Sequence, residues 1–349
     1  MAKLDLDERS REVLKALIQL HIATGEPVGS ESLSKVLSRP LSPATLRNTM
    51  ADLERTGYLD HPHTSAGRIP TDEGYRFYVD SLMSQAPLPP RDAAAIRSEL
   101  NPRDGASSGR VMQNASHLLS RLSGNVGFVL APDMAQATFR HIDLVRLPHP
   151  RILVVMVSLN GLVSNKVIEV AEEMSPDEVQ QCENYLNANF AGMGLAEIRS
   201  RLLVLMGEEK ALYDTLTRRA VSLGERAFAP DQEPDGVYID GTSHILGQPE
   251  FEDLARMRAL FQTFEEKSRL VKILNACLSG DGVRIIIGHE NPDPDLRDLA
   301  LVTARYPLDG EPGFGLGVMG STRMEYARVI VLVDHVGRAV AQALAELKA

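Results

Sequence analysis

A predicted helix near the N-terminus carries side chains of the types that read DNA bases. Residues 42–55 read SPATLRNTMADLER, and the apolar positions fall on one helical stripe made of Leu46, Met50 and Leu53. The side away from the stripe and its flanks contains Thr45, Arg47, Asn48 and Arg55. Arginine can bind guanine through two parallel hydrogen bonds, and asparagine can bind adenine in the same way. The pattern favours a helix that enters the major groove, although a solvated helical hairpin in another kind of domain has the same appearance.

Further candidate contacts come from the residues on either side of this helix. Residues 58–61 and 68–70 predict two strands of a hairpin, with a polar tip at 62–67. Such a hairpin beside a recognition helix typically touches phosphates or the minor groove. The complete set of candidate DNA contacts is Lys35, Arg39, Ser42, Thr45, Arg47, Asn48, Arg55, His61, His63 and Arg68.

The sequence gives little support for a metal site, a nucleotide-binding site or a catalytic site. His61 and His63 could suggest a metal pair, but no cysteine or acidic cluster nearby completes a coordination shell, so we expect no metal. The segment 313–323, GFGLGVMGSTR, satisfies G-x-G-x-x-G, yet too few residues follow it for the crossover helix of a nucleotide-binding unit. We interpret it as a strand, with Ser321 or Thr322 capping the last helix. No catalytic triad or carboxylate pair stands out, so we expect neither an enzyme nor a cofactor.

The elements that would position the candidate contacts are short helices. Ser42 and Pro43 form a typical helix start, since the serine oxygen accepts a free amide and proline has no amide to leave unpaired. The preceding helix starts at Ser30 and is expected to place Leu33, Val36 and Leu37 on one buried side. We predict a first helix over 7–23 behind this pair, and a helix over 72–83, capped by Thr71, after the hairpin.

Beyond residue 85 the pattern predicts an α+β chain of several domains. Three prolines in the segment 85–92, QAPLPPRD, indicate a linker that holds the first domain apart from the rest. Strands are expected at 125–130, 139–147, 151–159 and 162–170, then at 283–288, 299–307 and 314–319. We interpret these as one antiparallel sheet interrupted by a mainly helical insertion, which is a plausible dimer contact.

Composition bounds the class of protein. The 349 residues carry a formal net charge of −10, and the first 85 contain ten basic against twelve acidic residues, so a nonspecific nucleic-acid coat is disfavoured. Specific binding would depend on locally arranged cations and on two copies acting together. The two cysteines, Cys182 and Cys277, are expected to be small buried hydrophobes in a reducing cytoplasm. No apolar run is long enough to cross a membrane.

Several longer motifs resemble the HrcA family of heat-inducible transcription repressors, and the resemblance runs from about Leu6 to the C-terminus. They are PVGS at 27–30, SPATLRNTMADLERTGYL at 42–59, HPHTSAGRIPTDEGYRFYVD at 61–80, GTSHIL at 241–246, PEF at 249–251 and GVMGSTRMEYARVI at 317–330. The family implies an N-terminal winged helix-turn-helix, a GAF-like domain of antiparallel sheet and an inserted dimerising domain. On this chain the expected bounds are 1–85 for the winged helix, 86–100 for the linker, 101–170 with 251–349 for the GAF-like domain, and 171–250 for the insertion.

The resemblance also implies function and partners. A homodimer would bind double-stranded DNA at the CIRCE inverted repeat upstream of chaperonin and chaperone operons, and the GroEL chaperonin would keep the repressor active. Two alternatives stay open. One is a winged-helix regulator whose GAF-like domain senses a metabolite, and the other is an enzyme that binds a nucleotide at the glycine-rich segment.

Overall fold

The computed structural model describes residues 6–39, 41–62, 67–84, 87–101, 107–132, 137–148, 150–159, 163–170, 173–207, 215–228, 236–245, 254–278, 282–308 and 311–347. It is an α+β structure with antiparallel sheets. Among the described helices none is both long and apolar enough to span a bilayer.

Four helices and a short hairpin form the N-terminal unit. They are helix α1 (Glu8–Thr24), helix α2 (Ser30–Ser34), helix α3 (Pro43–Arg55), strands β1 (Leu59–Asp60) and β2 (Ile69–Pro70), and helix α4 (Asp72–Phe77). A π-helical turn, Tyr78–Leu82, continues α4. The helices predicted over 7–23 and 42–55 are confirmed, and that over 72–83 is confirmed with a change of pitch in its last turn.

The expected linker over 86–100 is wrong for its larger part. Residues Pro90–Leu100 form helix α5, whose Ile96 and Leu100 are buried. Proline is tolerated in the first turn of a helix because its missing amide would be unpaired there, so prolines before residue 91 do not exclude a helix. Helix α6 (Ser108–Ser123) follows and packs against α5 and the last helix, α12 (Tyr326–Glu346).

A five-stranded antiparallel sheet organises the C-terminal half. Its strands are β3 (Val126–Leu130), β7 (Val237–Asp240), β8 (Gly282–Ile287), β9 (Leu299–Leu308) and β10 (Glu311–Ser321), in the order β7-β3-β10-β9-β8. One face packs on α6 and α12, and the other packs on helices α10 (Leu254–Glu265) and α11 (Lys267–Cys277). The central strands are therefore buried on both sides.

The glycine-rich segment is a central strand of this sheet, as predicted. A Cβ atom on Gly317 would lie 2.4 Å from the carbonyl oxygen of Val302 and 2.7 Å from the ring of Phe128, so close packing explains this glycine. The predicted cap is wrong. Ser321 ends strand β10, and Glu325 precedes helix α12 without a side-chain capping bond.

The expectation of a single sheet is also wrong, because residues 139–169 form a second one. Its strands are β4 (Phe139–Leu147), β5 (Arg151–Ser158) and β6 (Val163–Glu169), and they share a core with helices α7 (Pro176–Phe190), α8 (Leu195–Gly207) and α9 (Thr215–Ala227). The Ala131 amide donates to the Gly236 carbonyl at 2.6 Å, where strands β3 and β7 pair side by side. The insertion therefore leaves after residue 131 and returns before 236, rather than spanning 171–250.

The N-terminal unit is not held apart from the rest of the chain. Buried residues of α1, α3 and α4 share one hydrophobic cluster with residues of α12 and the five-stranded sheet. The Tyr75 ring in α4 lies 6.1 Å from the ring of fully buried Tyr326 at the start of α12. The prolines at 87 and 89 thus precede a docked helix that begins at Pro90, instead of separating two independent bodies.

Candidate nucleic-acid interface

Helix α3 separates an apolar side from a polar side, as its sequence predicts. Leu46, Met50 and Leu53 are buried, whereas Arg47 and Asn48 are exposed. The Arg47 Nε atom donates to the Pro43 carbonyl oxygen at 3.3 Å, which leaves other guanidinium donors of this exposed side chain for a ligand. Helix α3 therefore presents an arginine and an asparagine side by side to solvent.

Ser42 and Thr45 form the N-terminal cap of helix α3. The Ser42 hydroxyl oxygen accepts the Thr45 backbone N–H at 3.1 Å, and the two hydroxyl oxygens are 2.9 Å apart. This cap satisfies one of the amides that a helix leaves unpaired at its first turn. Ser42 therefore fixes where helix α3 begins.

The other cations of the helix pair lie at the surface. Arg55 forms an ion pair with Asp52 and is 77% exposed, and Arg39 lies 3.9 Å from Glu8 and is 71% exposed. Exposed ion pairs of this kind contribute about 0–1 kcal/mol, so a phosphate can displace the carboxylate. Lys35, the residue that follows α2, is exposed as well.

Val36 departs from the prediction that it would be buried with Leu33. Helix α2 ends at Ser34, so the helical spacing does not continue to residue 36, and the Val36 side chain is 51% exposed. Apolar side chains at a reading surface can contact the methyl group of thymine. Val36 is thus a candidate contact that sequence periodicity assigned to the core.

The hairpin after α3 is fixed at its base. Leu59 pairs with Pro70, Asp60 pairs with Ile69, and Val28 and Arg68 exchange two backbone hydrogen bonds of 2.9 Å. His61 is half-buried and its backbone N–H donates to the Asp60 carboxylate at 2.7 Å. His63 lies outside the described residues.

Arg68 has an intramolecular partner that sequence reasoning missed. Its Nε atom donates to the Glu54 carboxylate at 2.7 Å, and its side chain is 22% exposed. The pair connects the end of α3 to the hairpin, in addition to the backbone hydrogen bonds between Arg68 and Val28. Glu54 stands fourteen residues earlier on another element, and no local spacing signals the pairing.

Substituting each member of this pair separates a phosphate contact from a purely structural role. If Arg68 contacts a phosphate, Arg68→Ala weakens binding to matched and scrambled DNA alike and lowers the salt dependence of log K by about 1. Glu54→Ala removes a carboxylate near the DNA and is expected to keep or raise affinity. Anisotropy titrations at several salt concentrations measure both effects. Parallel losses of affinity for both variants would contradict a phosphate contact.

The described residues hold no cluster of three or more His, Cys, Asp or Glu side chains arranged for a metal ion. Cys182 and Cys277 are free and buried, as predicted, and burial raises the pKa of Cys182 to about 11. A thiol with this pKa is almost entirely protonated at neutral pH and is a poor nucleophile.

Comparison with known proteins identifies relatives over nearly the whole chain. The family described as the HrcA protein C terminal domain matches residues 109–330. The heat-inducible transcription repressor HrcA of Geobacter sulfurreducens is 45% identical over 97% of this chain and 98% of its own, and that of Syntrophobacter fumaroxidans is 38% identical over 98% of each. A crystal structure of a hypothetical protein superposes with a TM-score of 0.66 at 23% identity over 98% of this chain and 99% of its own, which supports the overall fold. The chain belongs to the HrcA family of heat-inducible transcription repressors.

Proposed function

We propose that the protein represses transcription by binding DNA through helix α3 and the β1–β2 hairpin. The observation that carries this proposal is the outward surface of α3, where Asn48 is exposed opposite a buried apolar stripe and Arg47 is exposed on the flank of that stripe. Family membership makes repression of heat-shock operons the natural role, acting in the cytoplasm where the chromosome is accessible. The N-terminal unit would act as a winged helix-turn-helix, with α3 in the major groove and the hairpin as the wing.

The five-stranded sheet with its flanking helices corresponds in this proposal to the GAF-like domain. The insertion between residues 131 and 236 would be the dimerising domain. This division follows the observed cores, since the second sheet and helices α7, α8 and α9 form a hydrophobic cluster of their own.

The proposed target is the CIRCE inverted repeat, bound by a homodimer. Two-fold symmetric proteins match inverted repeats because each subunit reads one half-site. A net charge of −10 makes a single copy a weak electrostatic ligand for DNA, so simultaneous binding of two half-sites would supply the affinity.

The outer face of the second sheet supports the homodimer. Its register aligns Val145, Leu153 and Val167 across all three strands. Val157 pairs with Val163 two rows further along the same face, beyond the row of Asp143, Val155 and Asn165. Val145, Val163 and Val167 are 49%, 58% and 51% exposed. Exposed apolar side chains grouped on one sheet face typically mark an interaction site, and we assign this face to a second copy of the chain.

GroEL is the proposed modulator, on the basis of family membership. A repressor of marginal stability would lose its active fold during heat shock, when other unfolded proteins occupy the chaperonin, and its operons would then be transcribed. Refolding denatured protein with and without GroEL and ATP, then titrating the DNA-binding fraction, tests this role. An unchanged active fraction would contradict it.

Footprinting tests the proposed target directly. The full chain is incubated with the upstream region of a host chaperonin operon and with a coding fragment of equal length. Protection of an inverted repeat in the first fragment alone is expected, whereas uniform or absent protection in both would overturn the proposal.

A further inference from the structure

Two sets of polar contacts join the N-terminal unit to the end of strand β8 in the five-stranded sheet. Both sets come from one face of helix α4. Asp72 and Arg76 are four residues apart and so lie on the same side of the helix. The Asp72 carboxylate accepts the His289 backbone N–H at 2.9 Å and lies 2.7 Å from the His289 Nδ1 atom. Both contacts cross from the N-terminal unit to the turn 288–290 that follows strand β8.

Arg76 makes the second contact with a two-point geometry. Its Nε atom donates to Glu290 Oε1 at 2.7 Å, and its Nη2 atom donates to the other carboxylate oxygen of Glu290 and to the Ile285 carbonyl oxygen at 2.7 Å. Parallel hydrogen bonds of this type fix orientation as well as distance. The Arg76 side chain is only 23% exposed, which limits competition from water.

A glycine allows the two units to approach this closely. Gly288 has a φ of +52°, and a Cβ atom built on it would lie 2.0 Å from Asp72 Oδ2. Any larger residue would both strain the backbone and collide with the Asp72 carboxylate. The contact between Asp72 and residues 288–290 therefore depends on close steric fit as well as on charge.

Helix α4 also makes close contacts with the residues that join α3 to the β1–β2 hairpin. The Thr71 hydroxyl, which caps α4, donates to the Gly57 carbonyl just after α3 at 2.6 Å. The Phe77 ring lies 5.1 Å from the Tyr58 ring next to the hairpin. A Cβ atom on Gly74 would lie 2.2 Å from the Tyr58 carbonyl oxygen. The position of α4 therefore sets the position of α3 and of the hairpin.

We propose that Asp72 and Arg76, bound to His289 and Glu290, form a latch that fixes the direction of the recognition helix relative to the rest of the subunit. These four are positioning residues, since they act on DNA through the orientation of α3. The proposal rests on the DNA-reading function proposed above. With the latch closed, a dimer carries its two recognition helices at one separation and prefers one spacing between half-sites. With the latch open, only the shared hydrophobic cluster holds the N-terminal unit, and the direction of α3 is less strictly fixed.

The experiment compares spacing preference in the full-length protein. The probes are a CIRCE-type inverted repeat, the same repeat with its spacer lengthened by about half a helical turn, roughly five base pairs, and a single half-site. The variants are Arg76→Ala and His289→Ala. The second removes a side chain that is 80% exposed and should leave folding intact. The control is Glu99→Ala, which breaks the Arg121–Glu99 ion pair between helices α5 and α6, away from α4.

Wild type and Glu99→Ala are expected to lose about tenfold or more in affinity when the spacer is lengthened. Arg76→Ala is expected to lose less than about threefold. His289→Ala keeps its backbone hydrogen bond to Asp72, so its loss is expected to lie between those of Arg76→Ala and the wild type. Half-site affinity is unchanged in both variants. Near-UV circular dichroism verifies that each variant is folded. A folded Arg76→Ala protein with the wild-type spacing profile overturns the latch. Wild-type protein that binds the repeat no better than scrambled DNA overturns the DNA-reading function itself, and the latch with it.

Discussion

Asn48→Ala and Arg47→Ala are each expected to weaken binding to the intact operator by about 1–3 kcal/mol, while affinity for scrambled DNA stays unchanged. Both side chains are exposed on α3, and the apolar stripe behind them is untouched by either change. Stability should therefore remain within about 0.5 kcal/mol of the wild type. Anisotropy titrations on matched and scrambled duplexes measure the discrimination, and thermal unfolding measures stability.

Arg338→Ala is a suitable control for these two changes. It removes an arginine that is 74% exposed on α12 and is paired with Asp334 within its own helix. The loss of one positive charge is the same as in Arg47→Ala, but discrimination between matched and scrambled DNA should not change. Equal losses on both duplexes for Arg47→Ala and Asn48→Ala would contradict base readout by α3.

Val167→Glu is expected to abolish the proposed dimer and so to produce a second large effect. The substitution places a carboxylate in the row formed with Val145 and Leu153, where an isologous interface would bring it near its symmetry copy. Affinity for the inverted repeat should fall about 100-fold, toward that of a half-site. Light scattering coupled to size exclusion measures the mass, and anisotropy measures the affinity.

Val204→Glu is the matched control for Val167→Glu. Val204 is 61% exposed on helix α8, which belongs to the helical layer behind the other face of the sheet. The Val204→Glu protein should stay dimeric and bind the inverted repeat as the wild type does. A dimeric Val167→Glu protein would show that the outer sheet face is not the interface.

Local features of the fold were predictable where short-range chemistry determines them. The Ser42–Pro43 start and the apolar stripe of α3 define a helix whose bounds the structure confirms. The end of α2 was not predictable in the same way, because the apolar periodicity continues through Val36 although the α-helix ends at Ser34. Similarly, proline in the first turn of α5 is compatible with both a linker and a helix.

The remaining differences between the predicted and the observed structure come from contacts between residues far apart in sequence. Alternating patterns located strands β4, β5 and β6, but they carry no information about which sheet a strand joins. The hydrogen bond between Ala131 and Gly236 closes the insertion across more than a hundred residues. The Arg68–Glu54 pair and the contacts of α4 with residues 288–290 depend on tertiary structure in the same way.

Two copies of the chain are proposed to read an inverted repeat specifically. Fluorescence anisotropy at physiological salt, on a CIRCE-type inverted repeat, a single half-site and a scrambled duplex, with and without GroEL, tests it most directly. We expect tight binding to the intact repeat alone, at least about tenfold stronger than to the half-site, and a larger active fraction with GroEL. Equal or absent binding to all three duplexes by folded protein would contradict the account.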